Sequence, residues 1–212
     1  MASLVQTHSK GNGYVSHYSN GTLSSQETDS QKNVSFQTKI QKIKEVLTEY
    51  NGIPEVLAQI QEIEKTEDLR EKFFKIQGLL NAPLTSSPVG STLLHIAAGT
   101  LYTKPGEKRP FRTEQMIQDV LDAGADIEVK TNFKGGEGTP LHSAVIARNL
   151  FAIRLLLSKG ANDQARDRLG RTPLERAYKS LELYSSSKPC KSLSSYSEII
   201  EFLENYQQKV SQ

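Results

Sequence analysis

The sequence contains no tryptophan, one cysteine and two methionines in 212 residues, and nowhere a run of about 18 apolar residues. A lone Cys190 excludes an intramolecular disulfide and makes a reducing compartment the simpler home for the chain. Without a long apolar run there is no membrane-spanning helix. The opening MASLVQTHSKGNGYVSHYSN also lacks the apolar centre of a secretory signal, so a soluble, cytoplasmic protein is expected. An excess of charge of one sign is missing too: 26 Lys and Arg against 24 Asp and Glu leave a formal net charge of +2. That is too small for whole-molecule attraction to nucleic acid or to an anionic membrane, and neither is expected as a partner. There is no P-loop, no zinc-type Cys/His spacing and no Gly-x-Ser-x-Gly elbow. No catalytic residue, cofactor or metal is expected.

What is present is a hydrophobic share of 36%, enough in a chain of this length to build a core without staples. Residues 1–34 are rich in Ser, Gly, Asn, Thr and Gln, and their few apolar residues follow no period. Ordering them costs roughly 1–2 kcal/mol per residue with little burial to offset it, so a disordered tail is expected there. From Phe36 the pattern changes. Phe36, Ile40, Ile43, Leu47 and Tyr50 recur at helical spacing and predict one helix; Pro54 opens a second with Leu57, Ile60 and Ile63. Thr66 and Asp68 can cap a third, in which Leu69, Phe73, Ile76 and Leu80 share a face. NAPLTSSPVG then interrupts any regular element.

After residue 90 the sequence repeats itself. Thr92 in GSTLLHIAA, Thr139 in GEGTPLHSAV and Thr172 in GRTPLERAY begin similar words. Thr139 and Thr172 stand 33 residues apart, and the unit between them holds a second helical word, AIRLLLSK, closed by GAN. Thr92 and Thr139 stand 47 apart. Eleven of the 14 extra residues fall between the two helices, in GTLYTKPGEKRPFRTE, and three fall in the hairpin, NFKGGEG.

These words resemble the ankyrin repeat, whose pattern G-x-T-P-L-H-x-A-A is followed by an outer helix ending in L-L and by G-A-D. The resemblance implies an all-α solenoid with a β-turn and two helices per unit of about 33 residues. It covers residues 90–212. Three segments follow: the tail 1–34, a helical cap at 35–81 that also reads as a degenerate repeat, and an ankyrin domain at 82–212 with insertions near 100–113 and 184–197. Within the cap the helices at 54–65 and 68–80 are expected to pair as inner and outer, with the helix at 36–50 outside them. In the family the His of T-P-L-H ties its own helix start to the backbone of neighbouring loops. Glu175, in that place in the third unit, is expected to mark an end cap, since a terminal repeat has no following hairpin to hold.

His95 and His142 are the most tempting metal or acid–base candidates. Equivalent places in successive layers put them about 10 Å apart, too far to share a metal, and a structural role is expected. Cys190 has no base nearby in sequence and reads as an incidental loop thiol. For recognition, the insertion at 100–113 combines Tyr102 and Phe111 with Lys104, Lys108, Arg109 and Arg112, residue types enriched at binding hot spots. The resemblance adds the hairpin tips and the inner helices: Asn132, Phe133 and Lys134 in one finger, Arg166, Asp167 and Arg168 in the next, and Ser143, Ile146 and Arg148 on the inner helix. The expected function is a non-enzymatic module, monomeric and without cofactor, that binds a partner protein. Two alternatives stand beside it: an effector that an intracellular bacterium secretes into a host cell, suggested by the polar tail and the polar ENYQQKVSQ, and an enzyme that uses the irregular 178–197 region.

Overall fold

The computed structural model describes residues 29–49, 54–83, 91–99, 113–130, 138–185 and 192–210. Within them lie α1 (Asp29–Glu49), α2 (Pro54–Glu64), α3 (Leu69–Asn81), α4 (Leu93–Gly99), α5 (Thr113–Asp122), α6 (Pro140–Ile146), α7 (Leu150–Ser158), α8 (Pro173–Ser185) and α9 (Ser192–Val210), and no strand. The all-α expectation holds. Prolines open α2, α6 and α8, where the missing N–H is no loss. Asp68 caps α3, its carboxylate accepting from the N–H groups of Arg70 at 2.7 Å and Glu71 at 3.4 Å.

Three helix pairs stack in order. α4 packs with α5, α6 with α7 and α8 with α9; α4, α6 and α8 form one row, and α5 and α7 lie in a second. The second row is built on a shared spacing. Met116, Ile117 and Val120 in α5, Ala152, Ile153 and Leu156 in α7, and Ile199, Ile200 and Leu203 in α9 are all buried. α5 and α7 also end alike. Gly124 and Gly160 take φ of +98° and +90°, a region costly for a side chain. There the N–H of each glycine reaches the carbonyl three residues back, and the N–H of Ala125 and Ala161 the carbonyl five back. One apolar core runs through every layer, from Phe36 in α1 to Leu203 in α9.

The leading cap differs from expectation in two ways. α1 starts at Asp29, so residues 29–34 belong to the helix and not to the tail. Val34 in that extension is 68% exposed, and the sequence of residues 29–34 displays no apolar period to read. The cap is also arranged differently. α2 and α3 pair as expected, but α1 lies along α5 besides meeting that pair, and α3 packs on α4 as well as on α2. Phe36 of α1 meets Phe73 of α3 with ring centroids 5.7 Å apart, and the Lys39 ammonium donates to the carbonyl of Asp122 at the end of α5 at 3.2 Å. α3 reaches the stack through Asn81, whose side-chain oxygen accepts from the N–H of Asp126 at 2.7 Å. One layer on, Glu128 does the same for the N–H of Asn162, also at 2.7 Å.

The α8–α9 layer differs from the two before it by polar substitution. At the place of Ala98 and Val145, both fully buried between layers, α8 carries Tyr178, 46% exposed. At the place of Leu121 and Leu157, α9 carries Glu204. The Tyr178 hydroxyl donates to the Glu204 carboxylate, so the last layer shows a hydrogen-bonded polar pair where inner layers show aliphatic side chains. Replacing the pair by its internal equivalents, Tyr178→Val with Glu204→Leu, is expected to leave the fold intact and produce concentration-dependent self-association; sedimentation velocity of both proteins checks this.

Candidate functional site

Each row-one helix begins at a buried threonine that bonds the residue three positions on. In the first layer the Thr92 hydroxyl lies 2.8 Å from His95 Nδ1, and His95 Nε2 lies 2.9 Å from the carbonyl of Gly138. The second layer repeats it: the Thr139 hydroxyl is 3.0 Å from His142 Nδ1, and His142 Nε2 is 3.0 Å from the carbonyl of Arg171. A carbonyl can only accept, so Nε2 carries the proton in both rings and Nδ1 is the acceptor. Consistently, the Thr139 N–H donates to His142 Nδ1 at 3.2 Å. Each imidazole therefore joins its own helix start to the base of the next hairpin.

Burial makes both rings poor bases. It lowers the pKa of His95 to about 4, with the hydrogen bond to Gly138 opposing and nearby His142 contributing in the same direction. It also lowers that of His142 below the ordinary value. Neither is placed as a shared metal ligand, because both nitrogens of each ring are occupied. Among the described residues no group of three His, Cys, Asp or Glu side chains is placed to hold a metal ion.

The third layer departs from this. Glu175 Oε2 accepts from the Thr172 N–H at 2.8 Å, and the Thr172 hydroxyl accepts from the Glu175 N–H at 3.2 Å. This is a capping box, and the same Oε2 lies 3.5 Å from the Arg166 guanidinium. A carboxylate cannot donate to a carbonyl as the imidazoles do, so Glu175 makes no bridge of the Thr–His–carbonyl kind.

The hairpin after α7 is organised by Asp167. Its Oδ1 accepts from the N–H groups of Leu169 at 2.8 Å and Arg171 at 2.9 Å; its Oδ2 faces Arg171 Nε at 3.2 Å and Arg176 at 3.3 Å. The Asp167 N–H and the Arg171 carbonyl close the turn at 2.9 Å, and Gly170 takes φ of +74°. Burial alone would raise the Asp167 pKa; the Arg171 N–H, the Arg171 guanidinium and the Leu169 N–H together hold it below the usual carboxylate range. Asp167 is thus turned into its own hairpin, while Arg166 and Arg168 are exposed.

The opposite edge of the layers has its own cluster. Asn149, buried, accepts from the Ala152 N–H at 3.0 Å and donates to the Ala98 carbonyl at 3.2 Å, tying α7 to α4. Arg148, at φ of +59°, holds its guanidinium 5.8 Å from the ring centroids of both Tyr184 and Tyr196. The Tyr196 hydroxyl donates to the Ile146 carbonyl at 3.1 Å.

Of the candidate binding residues, Ile146 is 40% exposed, Ser143 and Arg148 are half-buried, and Arg166 and Arg168 project from the hairpin. The structure brings Ile146 and Arg148 together around Tyr196. It separates them from Arg166 and Arg168, which sit on the hairpin edge. Tyr102, Lys104, Lys108, Arg109, Phe111, Arg112, Asn132, Phe133 and Lys134 lie outside the described residues, as do Cys190 and residues 1–28 of the tail. Leu169 was missed by the sequence reading: it is 67% exposed at the hairpin tip. Its signal was available, an aliphatic residue in a turn position that polar residues usually fill.

Comparison with known families adds one finding. Residues 111–207 match the family model described as ankyrin repeats, in three copies. That stretch of the chain carries ankyrin repeats. No curated protein matches it. The match takes in α9, where the sequence words are weakest, and starts only at residue 111, after the α4 word TLLHIAA. The insertion between α4 and α5 explains that boundary, since it splits the first repeat. The Thr92–His95–Gly138 bridge nevertheless makes α4 the inner helix of an ankyrin layer. Ankyrin repeats are protein–protein interaction modules and typically lack enzymatic activity. No described helix is long and apolar enough to cross a membrane.

Proposed function

We propose that this chain is a non-enzymatic, cytoplasmic and monomeric recognition module that engages a partner protein, rather than nucleic acid or a membrane. Its contacts are the hairpin tips, the exposed ends of the inner helices and the basic-aromatic insertion at 100–113. The observation that carries the reading is the repeated Thr–His–carbonyl bridge. Loops from separate layers are held in fixed relation by it, so binding costs little ordering entropy. The polar Tyr178–Glu204 end supports the monomer. Affinity capture from a lysate of the source cells tests the module: a Phe133→Ala, Arg109→Ala double variant is expected to lose partners that the unmodified chain retains. Unchanged capture would show that those surfaces are not used.

A further inference from the structure

We propose that the tip formed by Arg166, Arg168 and Leu169 is an anchor for an acidic segment of a partner protein that carries an apolar side chain between its carboxylates. The inference rests on the recognition-module reading and names the chemistry of its ligand.

Three observations lead to it. The first is rigidity. Asp167 accepts two backbone N–H groups inside the turn, Arg166 donates to the Gly170 carbonyl at 2.5 Å, and His142 holds the Arg171 carbonyl from the layer behind. A tip fixed from both sides gives up little freedom on binding.

The second is Leu169. Its side chain is 67% exposed while its N–H is bonded to Asp167, so the fold uses its backbone and leaves its apolar surface in water. A single exposed leucine is ordinary on a surface. Here it stands in a stapled turn next to Arg168, where it can enter a partner's pocket or cover a partner's apolar residue.

The third is charge. The only carboxylate within the tip, Asp167, has a side chain 3% exposed and is occupied by Arg171 and Arg176. Arg166 faces Glu175 at 3.5 Å, with both side chains more than half exposed, a pairing that water screens and a competing carboxylate can replace. The tip therefore shows solvent an apolar side chain together with the exposed arginines 166 and 168, which complements carboxylates close to an apolar residue. Phosphates of a nucleic acid would satisfy the arginines but leave Leu169 without a role.

Fluorescence anisotropy with the full chain tests this against four labelled probes: an acidic peptide with a central leucine, the same peptide with alanine there, a basic peptide with a central leucine, and a single-stranded oligonucleotide. The acidic leucine peptide is expected to bind best and to weaken as salt is raised. Leu169→Ser, at a site the core does not use, is expected to weaken that binding about tenfold with unchanged melting temperature. Arg168→Glu is expected to weaken it as well. The proposal is overturned if no peptide binds, if Leu169→Ser has no effect, or if the basic peptide or the oligonucleotide binds better. In those cases partner capture that survives in Leu169→Ser but is lost in Phe133→Ala, Arg109→Ala would leave the module reading standing with its anchor elsewhere.

Discussion

Between pH 6.5 and about pH 4 the stack is expected to lose about 3 kcal/mol of stability through His95 alone. The folded protein keeps this ring neutral because it is buried and because Nδ1 is already an acceptor for Thr92. In the unfolded chain the same ring takes a proton near pH 6.5. Throughout the interval the unfolded state therefore binds more protons, and acidification favours unfolding. Above pH 6.5 the contribution is fully present; below about pH 4 the folded ring protonates too and the slope ends. His142 acts in the same direction. Carboxylates also titrate near the lower end, so the informative quantity is the difference between the unmodified chain and His95→Gln, which keeps a side-chain donor for Gly138 but cannot titrate. Urea unfolding across this range should show a shallower pH dependence in the variant. Parallel profiles would mean that His95 is not held neutral.

Removing residues 29–83 is expected to turn the remaining chain into an aggregating species without a cooperative unfolding transition. α1 covers α5, α3 covers α4, and the apolar core continues from Phe36 and Ile40 through Leu94 and Ile117 without a break. Truncation exposes buried faces of the first ankyrin layer and leaves the N–H of Asp126 without Asn81. The loss of several fully buried aliphatic contacts, each worth about 1.5–3 kcal/mol, exceeds the reserve of a typical domain of this size. Calorimetry and size-exclusion chromatography of a chain beginning near residue 84 measure this. A monomer with a sharp melting transition would show that the cap is dispensable.

His95, His142 and Glu175 illustrate what could be read before any coordinates. The repeated T-x-L-H word placed the imidazoles at equivalent helix starts, and the change to Glu at the third marked a layer that caps its helix without the imidazole bridge. The threonines at 92, 139 and 172 do occupy like places, all buried at the start of a row-one helix. The helices of the cap were also legible, since Ile40, Ile43, Ile60, Ile76 and Leu80 recur at helical spacing and are all buried. Their partners were not. An apolar stripe records that a face must be covered, and carries no label for what covers it, so the packing of α1 on α5 escaped a reading in which neighbouring helices pair. The same reason hid Arg148: its place over Tyr184 and Tyr196 depends on the meeting of the ends of α6, α8 and α9, far apart in the chain.

By itself, then, the order of residues determined the helices, their repeat, and which members of the repeat differ, because these follow from spacing along one chain. Only the tertiary structure decided that Asp167 turns inward while Leu169 stands outward, and that Tyr178 and Glu204 meet across 26 residues. Those outcomes depend on how separate segments compete for the same buried volume and the same hydrogen-bond donors, a competition that exists only once the layers are assembled.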